Sequence, residues 1–191
     1  MKQDGVKAGL EALARSVLDS VALSERVTAV AGRYAETLRA GGTIFFCGNG
    51  GSAADAQHVA TEYVVRYSAL RRPLAALALT TDSSLLTAAG NDLGFERIFA
   101  RQVEALCRPG DLLVLHSTSG KSPNLLAAAR AARERSVRTI AFLGRDGGAL
   151  AGQVDEAIVV PSDDTGRIQV IQLALEHLIV ELVEEELARG A

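Results

Sequence analysis

A chain of 191 residues with 48% hydrophobic side chains can bury one good core, and nothing in its composition forces a division into two domains. Twenty basic against 23 acidic side chains leave a formal charge of −3, with no sustained run of Lys and Arg, so the electrostatic footprint of a nucleic-acid binder is missing. Cys47 and Cys107 are neither a disulfide framework nor a Cys-x-x-Cys site, the first residues do not read as an export signal, and no stretch reaches 18 uninterrupted apolar residues. These features predict a cytoplasmic protein with neither nucleic acid nor membrane as partner.

Along the chain, residues 6–40 carry apolar side chains at helical spacing: Leu10, Leu13, Val17 and Val21, then Val27, Val30, Tyr34 and Leu38. Two helices are expected there, the second capped by Ser24 and closed by Gly41-Gly42. The pattern then changes to apolar runs of strand length at 43–47, 74–79, 111–116, 138–143 and 156–160. Helical stretches are expected at 53–67, 95–106, 124–134 and 149–153, and a long amphipathic helix at 167–189. Strands that lack polar alternation and are separated by helices imply a parallel sheet covered on both faces, an α/β doubly wound domain of flavodoxin-like type. No internal repeat or low-complexity linker interrupts it, and one domain is expected over 1–191.

In such sheets ligands bind beyond the carboxyl ends of the strands, so the turns there carry the functional argument. Gly48-Asn49-Gly50-Gly51-Ser52 follows the first strand; its glycines let several N–H groups converge, and the next helix adds its positive end. Gly48, Gly50 and Ala53 also fit a loose dinucleotide fingerprint, but no acid stands between Arg71 and Thr81 to hold a ribose, which argues against a nucleotide cofactor. The second turn, Ser117-Thr118-Ser119-Gly120-Lys121-Ser122, offers a run of hydroxyls with Pro123 beginning a helix. A triphosphate-binding loop would need Gly where Leu115 stands. Each turn alone could be a structural cap; the two together suit a phosphorylated polyol.

Among the ionisable residues, His58 and Glu62 lie four apart on one helix face. Such a pair is commonly only a solvated contact, but this one follows the anion-friendly turn within two helical turns. Gln169 and His177, eight apart on the final helix, are rotated by roughly 80 degrees and converge only if that helix tilts across the site. His116 ends a strand, and its expected role is to hold the Ser-rich loop.

The segments Gly48-Asn49-Gly50-Gly51-Ser52-Ala53-Ala54-Asp55-Ala56-Gln57-His58, Gly90-Asn91-Asp92, Ser117-Thr118-Ser119-Gly120 and Arg167-Ile168-Gln169 closely resemble the phosphoheptose isomerases, over nearly the whole chain. The resemblance implies a SIS (sugar isomerase) fold with extra N-terminal helices, residues 1–40, that help build a homotetramer with sites at subunit contacts. It implies interconversion of sedoheptulose 7-phosphate and an aldose, D-glycero-D-manno-heptose 7-phosphate. It assigns the phosphate to Ser52, Ser117, Thr118, Ser119 and Ser122. Asn49, Gly50, Gly51, Asn91, Asp92, Glu62 and Gln169 contact the sugar, Glu62 and His177 form the acid-base pair, and His58, Glu62, Gln169 and His177 hold Zn2+. Gln172 stands where these proteins often carry His, a departure expected to touch substrate orientation or a neighbouring subunit. Two other readings share the motifs: a non-catalytic SIS adaptor that binds the replication initiator, and a regulatory SIS module that senses a sugar phosphate.

Overall fold

The computed structural model describes residues 3–68 and 70–189. Two helices come first, α1 (Gln3–Asp19) and α2 (Ser24–Arg39), joined by a 3-10 turn over Ser20–Leu23. The rest alternates: β1 (Ile44–Gly48), α3 (Gly51–Val64), β2 (Ala76–Ala78), α4 (Ser83–Leu93), α5 (Ala100–Leu106), β3 (Leu112–His116), α6 (Pro123–Glu134), β4 (Arg138–Gly144), β5 (Glu156–Val160) and α7 (Thr165–Arg189). All five strands are parallel in the order β2-β1-β3-β4-β5. This is the expected doubly wound, flavodoxin-like sheet.

Parallel strands buried on both faces must be apolar throughout, and β1 and β3 are buried at every position. Their alternate side chains feed two separate cores. One holds Ile44, Phe46, Leu112, Val114, Ile140 and Phe142 against α2, α3 and α7; the other holds Phe45, Cys47, Leu113, Leu115, Ala141 and Leu143 against α5 and α6. Phe46 is fully buried and packs on Tyr34 and Tyr63 with ring centroids 6.3 and 6.0 Å away, so truncation to Ala costs about 3–5 kcal/mol. Burial pushes the Cys47 thiol far above its ordinary range and the Cys107 thiol up to about 12, which leaves both inert as nucleophiles.

Several boundaries correct the sequence reading. Ser24 is the first residue of α2 rather than its cap: Leu23 occupies the cap position without a side-chain bond, and the Ser24 hydroxyl donates backward to the Val21 carbonyl. The stop at Gly41-Gly42 is as expected. Gly41 takes φ +83°, its N–H reaches Leu38 and that of Gly42 reaches Thr37, the paired bonds of a Schellman motif. The stretch 95–106 is a 3-10 turn followed by α5, and 149–152 is a single 3-10 turn. α4 was not anticipated, although Asp82 caps it by accepting from the Leu85 N–H at 2.9 Å.

Candidate active site

Gly48 and His116 are register partners at the ends of β1 and β3, so the two turns singled out above leave the sheet side by side where its strand order reverses. α3, α6 and α7 all begin at this edge, and their positive ends favour an anion. A cavity of about 200 Å³ opens between them, lined by Asn49, Ser52, His116, Ser117, Thr118, Ser119, Ser122, Thr165 and Gln169. Its walls hold hydroxyls, amides and the His116 imidazole but no Lys or Arg, so helix ends, hydroxyls and amides supply most of the attraction for a phosphoryl group.

Backbone geometry makes this cradle possible. Gly120 takes φ +61°, and a Cβ there would sit 1.9 Å from the Gly147 carbonyl oxygen, so only glycine lets the Ser-rich turn lie on the following loop. Within the turn the Ser117 hydroxyl accepts from the Gly120 N–H at 3.0 Å. At Gly51 a Cβ would stand 2.6 Å from the Gln169 amide nitrogen, which shows how closely the last helix approaches the first turn. The two turns are tied by a reciprocal amide pair: Asn49 donates to Asn124 at 2.9 Å and Asn124 donates back at 2.7 Å. Asn124 is buried and, like Thr165, was missed by sequence reasoning. Only its position one residue after the helix-starting Pro123 could have flagged it.

The ionisable residues gather about two turns along the same helices. His58 Nε2 lies 2.9 Å from His177 Nε2, with one ring donating and the other accepting, and 3.3 Å from Glu62 Oε1. The ligand atoms of these three residues fall within 4.8 Å of one another. Tyr67 stacks on His177 with centroids 5.4 Å apart. Arg71 secures the arrangement: it donates to the carbonyls of Glu62 and Tyr63 at the end of α3, at 2.7 and 2.8 Å, and pairs with Glu184 of α7 at 2.8 Å. Imidazole nitrogens and a carboxylate oxygen are ordinary zinc ligands, so the three residues fit that metal.

Of the residues expected to bind or react, Asn49, Ser52, Ser117, Thr118, Ser119, Ser122 and Gln169 meet in the cradle, and His58, Glu62 and His177 meet in the cluster. Gly50 lines a neighbouring cavity of about 460 Å³ with Asn49, Thr80, Thr87 and Gly90, and Gly51 backs Gln169. Asn91 and Asp92 stay outside the cradle; they are exposed at the end of α4 and bonded to each other at 2.7 Å. Two expectations are corrected. His116 does not hold the Ser-rich loop through a side-chain bond to it, because its Nε2 reaches Glu176 of α7 at 2.9 Å. Of the two roles expected for Gln172, its full burial removes the contact with a neighbouring subunit and leaves substrate orientation; its amide lies 3.5 Å from the Ser117 carbonyl.

The sequence matches the SIS domain family over residues 10–144. A phosphoheptose isomerase of Roseiflexus sp. is 47% identical over 184 residues, spanning 96% of this chain and 92% of the relative. The chain belongs to the phosphoheptose isomerase family. Solved phosphoheptose isomerases from Neisseria gonorrhoeae and Francisella tularensis superpose with TM-scores of 0.91 and 0.94, at 42% and 33% identity. They cover 96% and 97% of this chain, and it covers 98% and 100% of theirs. Membership of the phosphoheptose isomerases favours an enzyme over the replication-initiator adaptor. Among the described residues, no helix is long and apolar enough to cross a membrane.

Proposed function

We propose that the chain is a sugar-phosphate isomerase that converts sedoheptulose 7-phosphate to the aldose D-glycero-D-manno-heptose 7-phosphate. The observation that carries this reading is the separation of the two halves of the site. The cradle at Ser52 and the cluster beginning at His58 are offset by about 9 Å of helix rise, a span suited to a substrate whose reacting carbons lie far from its phosphate. Ser52, Ser117, Thr118, Ser119 and Ser122 hold the phosphate, while Asn49, Gly50, Gly51 and Gln169 line the sugar and orient it.

Glu62 takes the proton from C1 of the ketose, giving an enediol, and returns it to C2. His177 relays the hydroxyl proton from O1 to O2, so the aldose carbonyl forms at C1 as the C2 hydroxyl is completed. Zinc would be held by His58, Glu62, His177 and Gln169 and would supply Lewis-acid polarisation of the carbonyl, with Glu62 and His177 serving as base and relay when they are not ligating it. Chelation is expected to remove most of the activity, and added zinc to restore it, with the far-ultraviolet dichroism unchanged throughout.

The chain works as one unit over 1–191, in the cytoplasm, and as a homotetramer. Assembly is supported by the exposed apolar side chains Leu10, Val17, Leu18 and Val21, and by a groove of about 490 Å³ between the N-terminal helices and α7. Asn91 and Asp92 contact the sugar from a subunit contact. Supplying sedoheptulose 7-phosphate and following the aldose tests the reaction: turnover in wild type and its loss in Glu62→Gln and His177→Gln are expected. Full activity in both variants sinks the assignment.

A further inference from the structure

Glu176 and His116 are 1% exposed or less, far more secluded than the reacting cluster. Beside their 2.9 Å contact, Glu176 accepts from the Tyr34 hydroxyl of α2 at 3.1 Å, and the His116 ring lies between Phe46 and Phe142. A buried ionisable pair is a poor source of stability, because well-packed apolar side chains of similar volume serve as well or better. Its geometry, by contrast, is exacting: the hydrogen bond admits only one axial position of α7 against β3.

The positions of the two partners give that bond its meaning. His116 directly precedes Ser117, the first hydroxyl of the cradle, and Glu176 directly precedes His177. One turn earlier on α7, Gln172 reaches the carbonyl of Ser117 itself. The three residues thus connect the start of the phosphate loop to the segment of helix that carries the imidazole. We propose that His116, Glu176 and Gln172 are positioning residues that set the register of α7 against the cradle, and so the distance from the bound phosphate to His177. His116 also lines the cradle, but its contact with Glu176 reaches neither phosphate nor reacting carbons, and through that contact the residues act on Ser117 and His177. The inference rests on the isomerase reading above.

The test is the double variant His116→Leu/Glu176→Leu, which replaces the pair by apolar volume, assayed as intact protein with sedoheptulose 7-phosphate. The expected result is a melting temperature lowered only by the few degrees that the unpaired Tyr34 hydroxyl costs, kcat reduced about 10- to 100-fold, as small misplacements of reacting groups do, and KM changed by less than about threefold. Inorganic phosphate should still raise the melting temperature of the variant, since the cradle hydroxyls remain, although His116 lines the cavity beside them. Glu176→Gln keeps an acceptor for both His116 and Tyr34 and should recover the loss to within about threefold of wild type. Wild-type kcat in the double variant overturns the proposal, as does a parallel collapse of kcat, KM and melting temperature, which marks a purely structural pair. If the double variant does not fold, Gln172→Leu decides: the same split is expected, and an unchanged kcat overturns the proposal. Absence of turnover in wild type would instead remove the isomerase reading itself.

Discussion

The cradle and the ionisable cluster lie on the same helices, yet they are built by different means. The cradle is made of turns: hydroxyls and amides that leave β1 and β3 together, held by local backbone geometry at Gly120 and by the Asn49–Asn124 pair. The cluster is made of helix faces: His58 and Glu62 on α3 meet His177 only because α7 packs alongside. A turn fixes its own donors, whereas a helix face needs a neighbour fixed by packing elsewhere. Binding should therefore survive perturbations that destroy chemistry.

The sharpest way to separate the two regions is Glu62→Gln, which leaves the cradle intact. A loss of about 10²- to 10⁴-fold in kcat is expected, with KM nearly unchanged in steady-state kinetics. Ser119→Ala makes the opposite cut. Loss of one hydrogen bond to a charged phosphate, about 1.5–3 kcal/mol, should raise KM by about tenfold or more while kcat holds, if binding equilibrates before chemistry. A kcat effect in Ser119→Ala with KM preserved would break the division of labour.

Arg71→Leu tests the packing that carries the cluster. It removes the cap on the α3 carbonyls and the mostly buried pair with Glu184, so thermal unfolding should show a loss of about 2–3 kcal/mol. The kinetic penalty should fall on kcat rather than KM. The smallest effect is expected at Asp55, between the regions on α3, where burial raises the carboxyl above its ordinary range against the pull of His116 and His58. A raised carboxyl means that folding disfavours the ionised form; the penalty is present above the folded value and vanishes as pH falls through the ordinary carboxylate range. Asp55→Asn should accordingly raise the melting temperature slightly at neutral pH and not at pH 3.

These differences also explain what could be read from the sequence. The five strands stood out because β1, β3 and β4 are apolar runs buried on both faces. The cradle was legible because its glycines and hydroxyls are contiguous. α4 escaped because Ala89 is its only buried residue, so no apolar stripe marks it, although Asp82 and Gly94 bracket it as cap and stop. His58 with Glu62 was visible as a spacing, but its meeting with His177, 119 positions away, depends on tertiary packing. The His116–Glu176 contact lay equally out of reach: its partners stand 60 positions apart, and buried His and Glu have no local signature.

The order in which the chain leaves the ribosome follows from the place of α7. All five strands are complete by Val160, and both hydroxyl-bearing turns precede it, but the partner of His58 arrives only with the final helix. Ile168, Ile171, Ile179, Val180 and Val183 arrive with it and close one of the two cores, so until then that face of the sheet is covered only in part, by α2 and α3. A nascent chain halted at residue 164 would have every strand in place, expose an aggregation-prone surface to chaperones, and turn over nothing.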